Sequence, residues 1–186
     1  NHPGFIEAAA DRVEAAVAKL PLERREAARL VFTAHGIPTA MAEHAPYTAQ
    51  LREACRLVAD RLGGRPWDLV FQSRSGRPSQ AWLEPDIGTH LQGLRESNGV
   101  TDVVLAPIGF LSECMELVYD LDIETAGLCQ RFGINMVRAA AVGSHPRLVA
   151  MIRELVEERF DPTRPRQALG TLGPWPDECS ADCCRR

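Results

Sequence analysis

Apolar and polar positions change period in blocks along the chain. Phe5, Ile6, Ala9, Val13, Val17 and Leu20 recur at helical spacing, so Gly4 to Leu20 predicts a helix that Pro21 ends. Ala28 to Thr33 is a short apolar run, predicting a buried strand that finishes at Ala34-His35-Gly36-Ile37-Pro38. Helical spacing returns from Tyr47 to Leu62 and stops at Gly63-Gly64. Trp67 to Ser73 predicts a second strand, followed by the loop Arg74 to Gln80. Pro85 to Ser97 predicts an amphipathic helix closed by Asn98-Gly99, and Asp102 to Ile108 a third strand. A longer helix is expected from Ser112 to Phe132, a fourth strand from Asn135 to Val142, and a last helix from Pro146 to Phe160 capped by Ser144. Beyond Asp161 the chain is rich in Pro, Gly and Arg and predicts irregular structure.

Strands alternating with helices predict βαβ units: an α/β fold with a four-stranded parallel sheet and helices on both faces. Ligands of such sheets bind outside the carboxyl ends of the strands. Three pieces fall there: His35 after the first strand, Gln72-Ser73-Arg74 after the second, and Phe110 to Glu116 after the third. On the helix that follows, Glu116, Asp120 and Glu124 recur four residues apart, with no Lys or Arg between them. Residues so spaced share a helix face, and like charges there repel. The row reads either as a solvated acidic face or as a ladder of hard oxygen ligands for a divalent metal or a proton path. A neutral imidazole at His35, with Glu116 as partner, could bind metal or take a proton.

The 186 residues suffice for one domain with a sizeable core. A net charge of −4 argues against a nucleic-acid binder that relies on a basic surface. No apolar run reaches the length of a membrane span and no signal peptide is evident, so a cytoplasmic protein is expected. The opening Asn1-His2-Pro3-Gly4 lacks an initiator methionine and reads as a piece of a longer polypeptide. No dinucleotide or phosphate-loop fingerprint is present, and no nucleophile elbow. The loop Arg74 to Gln80 reads as a carboxylate or phosphate grip or as a plain connection. Trp82 and Phe110 could face a flat apolar ligand or belong to the core, and His44, His90 and His145 read as solvated residues. Of the six cysteines, Cys55 and Cys129 fall in helices and read as buried small hydrophobes. Cys179, Cys183 and Cys184 crowd the end of the chain, a spacing that suits an iron–sulfur centre.

Five motifs occur in order: Phe32-Thr-Ala-His35-Gly-Ile-Pro38, Phe71-Gln-Ser-Arg74, Trp82-Leu-Glu-Pro85, Pro107-Ile-Gly-Phe110 and Glu116-Leu-Val-Tyr-Asp-Leu-Asp122. Together they resemble the C-terminal half of ferrochelatases, most closely the actinobacterial-type enzymes, which are similar to coproporphyrin ferrochelatases. The resemblance implies two Rossmann-like halves with a porphyrin between them, and hence a missing N-terminal half as partner. It implies a lyase of haem biosynthesis, with ferrous iron and coproporphyrin III or protoporphyrin IX as substrates. On this reading residues 1–27 lead in from the missing half, 28–160 form the chelatase domain, and 161–186 are a cysteine-containing tail. His35 and Glu116 match the catalytic pair, and Glu116, Asp120 and Glu124 an acidic line tied to metal delivery or proton removal on a helix with a π-type distortion. Ser73, Trp82 and Phe110 match the porphyrin pocket. One departure is Ser112-Glu-Cys114-Met-Glu116, where the family commonly carries a histidine at the position of Cys114. A 2Fe-2S cluster on Cys179, Cys183 and Cys184 would need a further ligand from the missing half, Cys55 or Cys129. Two rival expectations are a porphyrin- or haem-binding protein with altered catalysis and a half-domain chelatase acting as a homodimer.

Overall fold

The computed structural model describes residues 1–77 and 79–178. Four parallel strands, β1 (Arg29–His35), β2 (Trp67–Gln72), β3 (Asp102–Ala106) and β4 (Asn135–Arg138), form one sheet in the order β2-β1-β3-β4. Helices α1 (Pro3–Val17), α2 (Thr39–Glu43), α3 (Tyr47–Arg61), α4 (Ile87–Asn98), α5 (Met115–Leu117), α6 (Ala126–Phe132) and α7 (Pro146–Phe160) surround it. A π-helical segment, Val118–Thr125, joins α5 to α6.

The strands read as continuous apolar runs because both sheet faces are covered. Leu30, Phe32 and Ala34 point into one apolar layer with Val104, Ala106 and residues of α1, α3 and α7. Val31, Val103 and Leu105 point into the other, with Leu91 of α4, Leu117, Leu121 and Cys129. Ile6, Ala9 and Val13 are buried, so α1 is part of the core.

Several boundaries differ from the sequence reading. β1 runs on to His35, which pairs with Gln72. β3 stops at Ala106 and β4 at Arg138, although apolar residues continue to Ile108 and Val142. The cause is Pro107. Ala139 N–H still donates to Leu105 O at 2.8 Å, but the next rung of the ladder needs an N–H that proline lacks. The acidic helix begins at Met115 rather than near Ser112. The cap of α7 is His145, whose Nδ1 accepts from Arg147 N–H at 3.2 Å, not Ser144. His145 and His90 are not simply solvated: their Nε2 atoms lie 3.3 Å from Asp11 and 3.1 Å from Asp68. The segment after Asp161 has no regular element but is tied down, with Leu169 N–H bonding to Asn1 O and Thr171 N–H to Glu53.

Candidate active site at the carboxyl ends of the strands

Chain direction across the sheet reverses between β1 and β3, and the crevice outside their carboxyl ends is where an open α/β sheet binds ligands. His35 closes β1 at this crevice. Its Nδ1 lies 2.5 Å from Gly36 O. A carbonyl only accepts, so this contact puts a proton on Nδ1 and turns Nε2 toward Glu116. Nε2 is 3.4 Å from Glu116 Oε1, with the two side chains 37% and 58% exposed. Tyr47 steadies the same turn by donating to His35 O at 2.9 Å. Gly36 packs closely: a Cβ there would lie 3.1 Å from Gln72 O and 3.5 Å from the Trp82 ring.

Asp120 is held from the β2 side. Gln72, 2% exposed, donates from Nε2 to Asp120 Oδ2 at 3.1 Å, and the Ser73 hydroxyl donates to the same oxygen. Ser73 has φ of 63°, a left-handed conformation that is uncommon outside glycine and is concentrated at functional sites. Within the π-helical segment the main-chain bonds span one more residue than in an α-helix. Thr125, buried in the core, donates from Oγ1 to Asp120 O at 2.6 Å and so helps satisfy the altered ladder.

The helix therefore carries three rows. Leu117, Leu121 and Thr125 are buried; Glu116, Asp120 and Glu124 form the acidic row; Met115, Tyr119 and Ile123 are exposed. Glu124 also hydrogen-bonds Tyr119, and its charge together with that bond raises the phenol above its ordinary pKa. Among the described residues, no Lys or Arg is ion-paired with Glu116, Asp120 or Glu124. The amino ends of the strands are built differently. There Arg29 pairs with Asp68 at 2.6 Å and Arg24 with Asp102 at 2.8 Å. These carboxylates at the amino ends are matched by arginines, whereas Glu116, Asp120 and Glu124 are not, among the described residues.

Among the described residues, no three His, Cys, Asp or Glu side chains converge closely enough to hold a metal ion. The sequence reading of His35, Glu116, Asp120 and Glu124 as metal ligands thus meets a line of groups rather than a closed cage. Trp82 is half-buried against Gly36, and Phe110 packs on the second apolar layer. The loop at Arg74 is exposed, with Arg74 donating to Gln80 O at 3.2 Å. A cavity of about 570 Å³ is lined by Phe5, Tyr47, Leu51, Gly109, Met151 and Trp175. Cys179, Cys183 and Cys184 lie outside the described residues. Cys55 and Cys129 do not suit a shared cluster: they sit in opposite apolar layers, and burial raises both thiols, that of Cys129 to about 11. Tyr47 and Thr125 have parts at the site that residue type and spacing did not reveal, whereas Gln72 fell in the strand-end piece Gln72-Ser73-Arg74.

A family model described as ferrochelatase matches residues 1–160. The chain belongs to the ferrochelatase family. It is 50% identical over 184 residues to a ferrochelatase of Rhodopirellula baltica, covering 99% of this chain and 52% of that protein. It is 44% identical over 194 residues to the coproporphyrin III ferrochelatase of Frankia alni, covering 99% and 50%. The same name belongs to a Streptomyces coelicolor relative, 43% identical over 203 residues and covering 99% and 54%. The chain thus spans about half the length of these ferrochelatases. Among solved structures, a CbiX protein of cobalamin (vitamin B12) biosynthesis from Marinobacter aquaeolei VT8 aligns with TM-score 0.49 at 19% identity, over 73% of this chain and 98% of that one. No helix among the described residues is long and apolar enough to cross a membrane.

Proposed function

We propose that this chain carries the metal-insertion face of a ferrochelatase, with ferrous iron and a porphyrin as substrates, and residues 28–160 as the chelatase domain onto which α1 packs. The relatives' names favour coproporphyrin III as the porphyrin. The observation that carries the reading is His35 Nε2 facing Glu116 at 3.4 Å, at the head of an acidic row with no paired cation among the described residues.

Insertion replaces two pyrrole N–H protons with one ferrous ion, so the site must take protons from the macrocycle and bring in a dehydrating metal. His35, with Nδ1–H fixed on Gly36 O, offers Nε2 as the base for a pyrrole proton. Glu116 stabilises the imidazolium that forms and accepts the proton onward. Asp120 and Glu124 pass hydrated iron inward or protons outward. Hard carboxylates strung in a line bind such an ion without trapping it. Trp82 and Ser73 border the porphyrin, and the length that the relatives have beyond this chain supplies the opposite wall.

The test is anaerobic insertion of ferrous iron into coproporphyrin III, followed by porphyrin fluorescence. Glu116→Gln is expected to lower turnover by about 100-fold or more while porphyrin affinity is kept. Undiminished turnover in that variant would remove Glu116 from the mechanism. Tight porphyrin binding without insertion by the unaltered protein would favour a binding protein.

A further inference from the structure

Arg138 ends β4 on the sheet face that carries the acidic helix, and only 17% of its side chain is exposed. Its Nε and Nη2 donate to the two Asp122 oxygens at 2.6 and 2.9 Å, a bidentate fork. Its Nη1 donates to Glu113 Oε1 at 3.1 Å, and that oxygen also accepts from Ala141 N–H at 2.8 Å. One guanidinium thus binds the π-helical segment to the loop before α5, and both to the end of β4. Burial pushes the Glu113 carboxyl up, but the Arg138 and Ala141 bonds outweigh it and hold its pKa low.

The two anchored acids bracket the site. Glu113 lies three residues before Glu116, in the loop before α5, and Asp120 precedes Asp122 by two residues. Between them the helix has little else to hold its outer side, for Met115, Tyr119 and Ile123 are exposed. Its inner side rests on Leu117 and Leu121, apolar contacts that resist lifting more than rotation about the helix axis. Directional bonds are what resist rotation. They come from Gln72 and Ser73 on one side and from Arg138 on the other.

We propose that Arg138 is a positioning residue for metal insertion: by clamping Asp122 and Glu113 it sets the rotation of the acidic helix, and with it the placing of Glu116 against His35. The role needs arginine. A planar fork bonds two carboxylates in fixed directions, which the point charge of lysine does not reproduce. The claim for insertion rests on the chelatase reading above; the claim for geometry does not.

The test compares Arg138→Lys and Asp122→Asn with the unaltered protein in three measurements: thermal midpoint, steady-state iron insertion into coproporphyrin III, and crystal structures. Asp122→Asn keeps the Arg138–Glu113 pair and guards against a fold lost with Arg138. Both variants are expected to stay folded, to bind porphyrin within about twofold of the parent, and to lose about tenfold or more in kcat/KM for iron, since a displacement near 1 Å at reacting groups costs up to ~100-fold. Their structures should show Glu116 turned away from His35. Glu116 left in place in both structures would overturn the proposal, as would a loss of kcat that only tracks the folded fraction with KM for iron unchanged. A turned helix in the variants of a parent that inserts no metal would uphold the clamp and reject the chelatase reading.

Discussion

Glu53→Gln is expected to destabilise the protein by about 2 kcal/mol at neutral pH and by almost nothing near pH 2. Glu53 projects from α3 with its side chain 9% exposed. It accepts two bonds from the Arg56 guanidinium, both at 2.9 Å, and one from Thr171 N–H at 2.7 Å. The Arg56 bonds first, and the Thr171 bond second, lower its pKa from 4.5 to about 2. At about 1.4 kcal/mol per pKa unit this corresponds to about 3 kcal/mol. Arg56 is itself 41% exposed. Screening by the surrounding water brings the figure to about 2 kcal/mol. The folded-state pKa is depressed, so the stabilisation is complete above the unfolded-state value and is lost as pH falls toward about 2. Glutamine keeps an acceptor for Thr171 but loses the charge and the fork. Urea denaturation of both proteins at pH 7, 4 and 3 measures the difference directly. A gap below about 0.5 kcal/mol at pH 7, or one that is the same at pH 3 as at pH 7, would refute the reasoning. The effect should also be local. Glu53 holds the 169–171 turn, where a Cβ on Gly170 would meet Glu53 Oε1 at 1.8 Å, and that turn helps tether the tail that walls the 570 Å³ cavity.

Two further changes probe the crevice. Gly109→Ala would place a Cβ 2.7 Å from Ala34 Cβ, one residue before His35; overpacking should cost about 1–3 kcal/mol in denaturant titrations, and an unchanged midpoint would show that the turn yields freely. Thr125→Val keeps the shape but removes the 2.6 Å bond to Asp120 O; a loss of about 1 kcal/mol is expected, with faster amide exchange across Val118–Thr125, and unaltered exchange would show that the π-helical turn does not depend on that hydroxyl.

Much of the layout was legible in the residues. Strands buried on both faces must be apolar throughout, so Arg29–His35 and Asp102–Ala106 stand out as runs, and helices packed on one side must carry a 3.6-residue period. The ordered motifs carried the family, and the acidic row was visible as spacing alone. Chain order also placed His35, Ser73 and Glu116 after successive strands, hence at one end of a parallel sheet.

Apart from the His35–Glu116 pair, contacts between distant segments were not legible, because they depend on packing rather than on local preference. Apolar runs mark burial without saying where pairing stops, so the fourth strand looked longer than the ladder that Pro107 permits. Ser144 and His145 are adjacent and both able to cap, and the difference lies in how the chain approaches α7, where His145 also reaches Asp11. Cys55 and Cys129 look alike as buried helical cysteines, yet the sheet separates them into opposite layers. The sequence by itself determined the elements, their order and the chemistry available at the carboxyl ends of the strands. The tertiary structure put the expected His35–Glu116 pair at 3.4 Å, and it alone decided that Gln72 and Ser73 hold Asp120 and that Arg138 binds the far side of the same helix. Each of these pairs joins residues far apart in the chain, and their distances follow from sheet order, register and helix rotation, which local residue preferences do not encode.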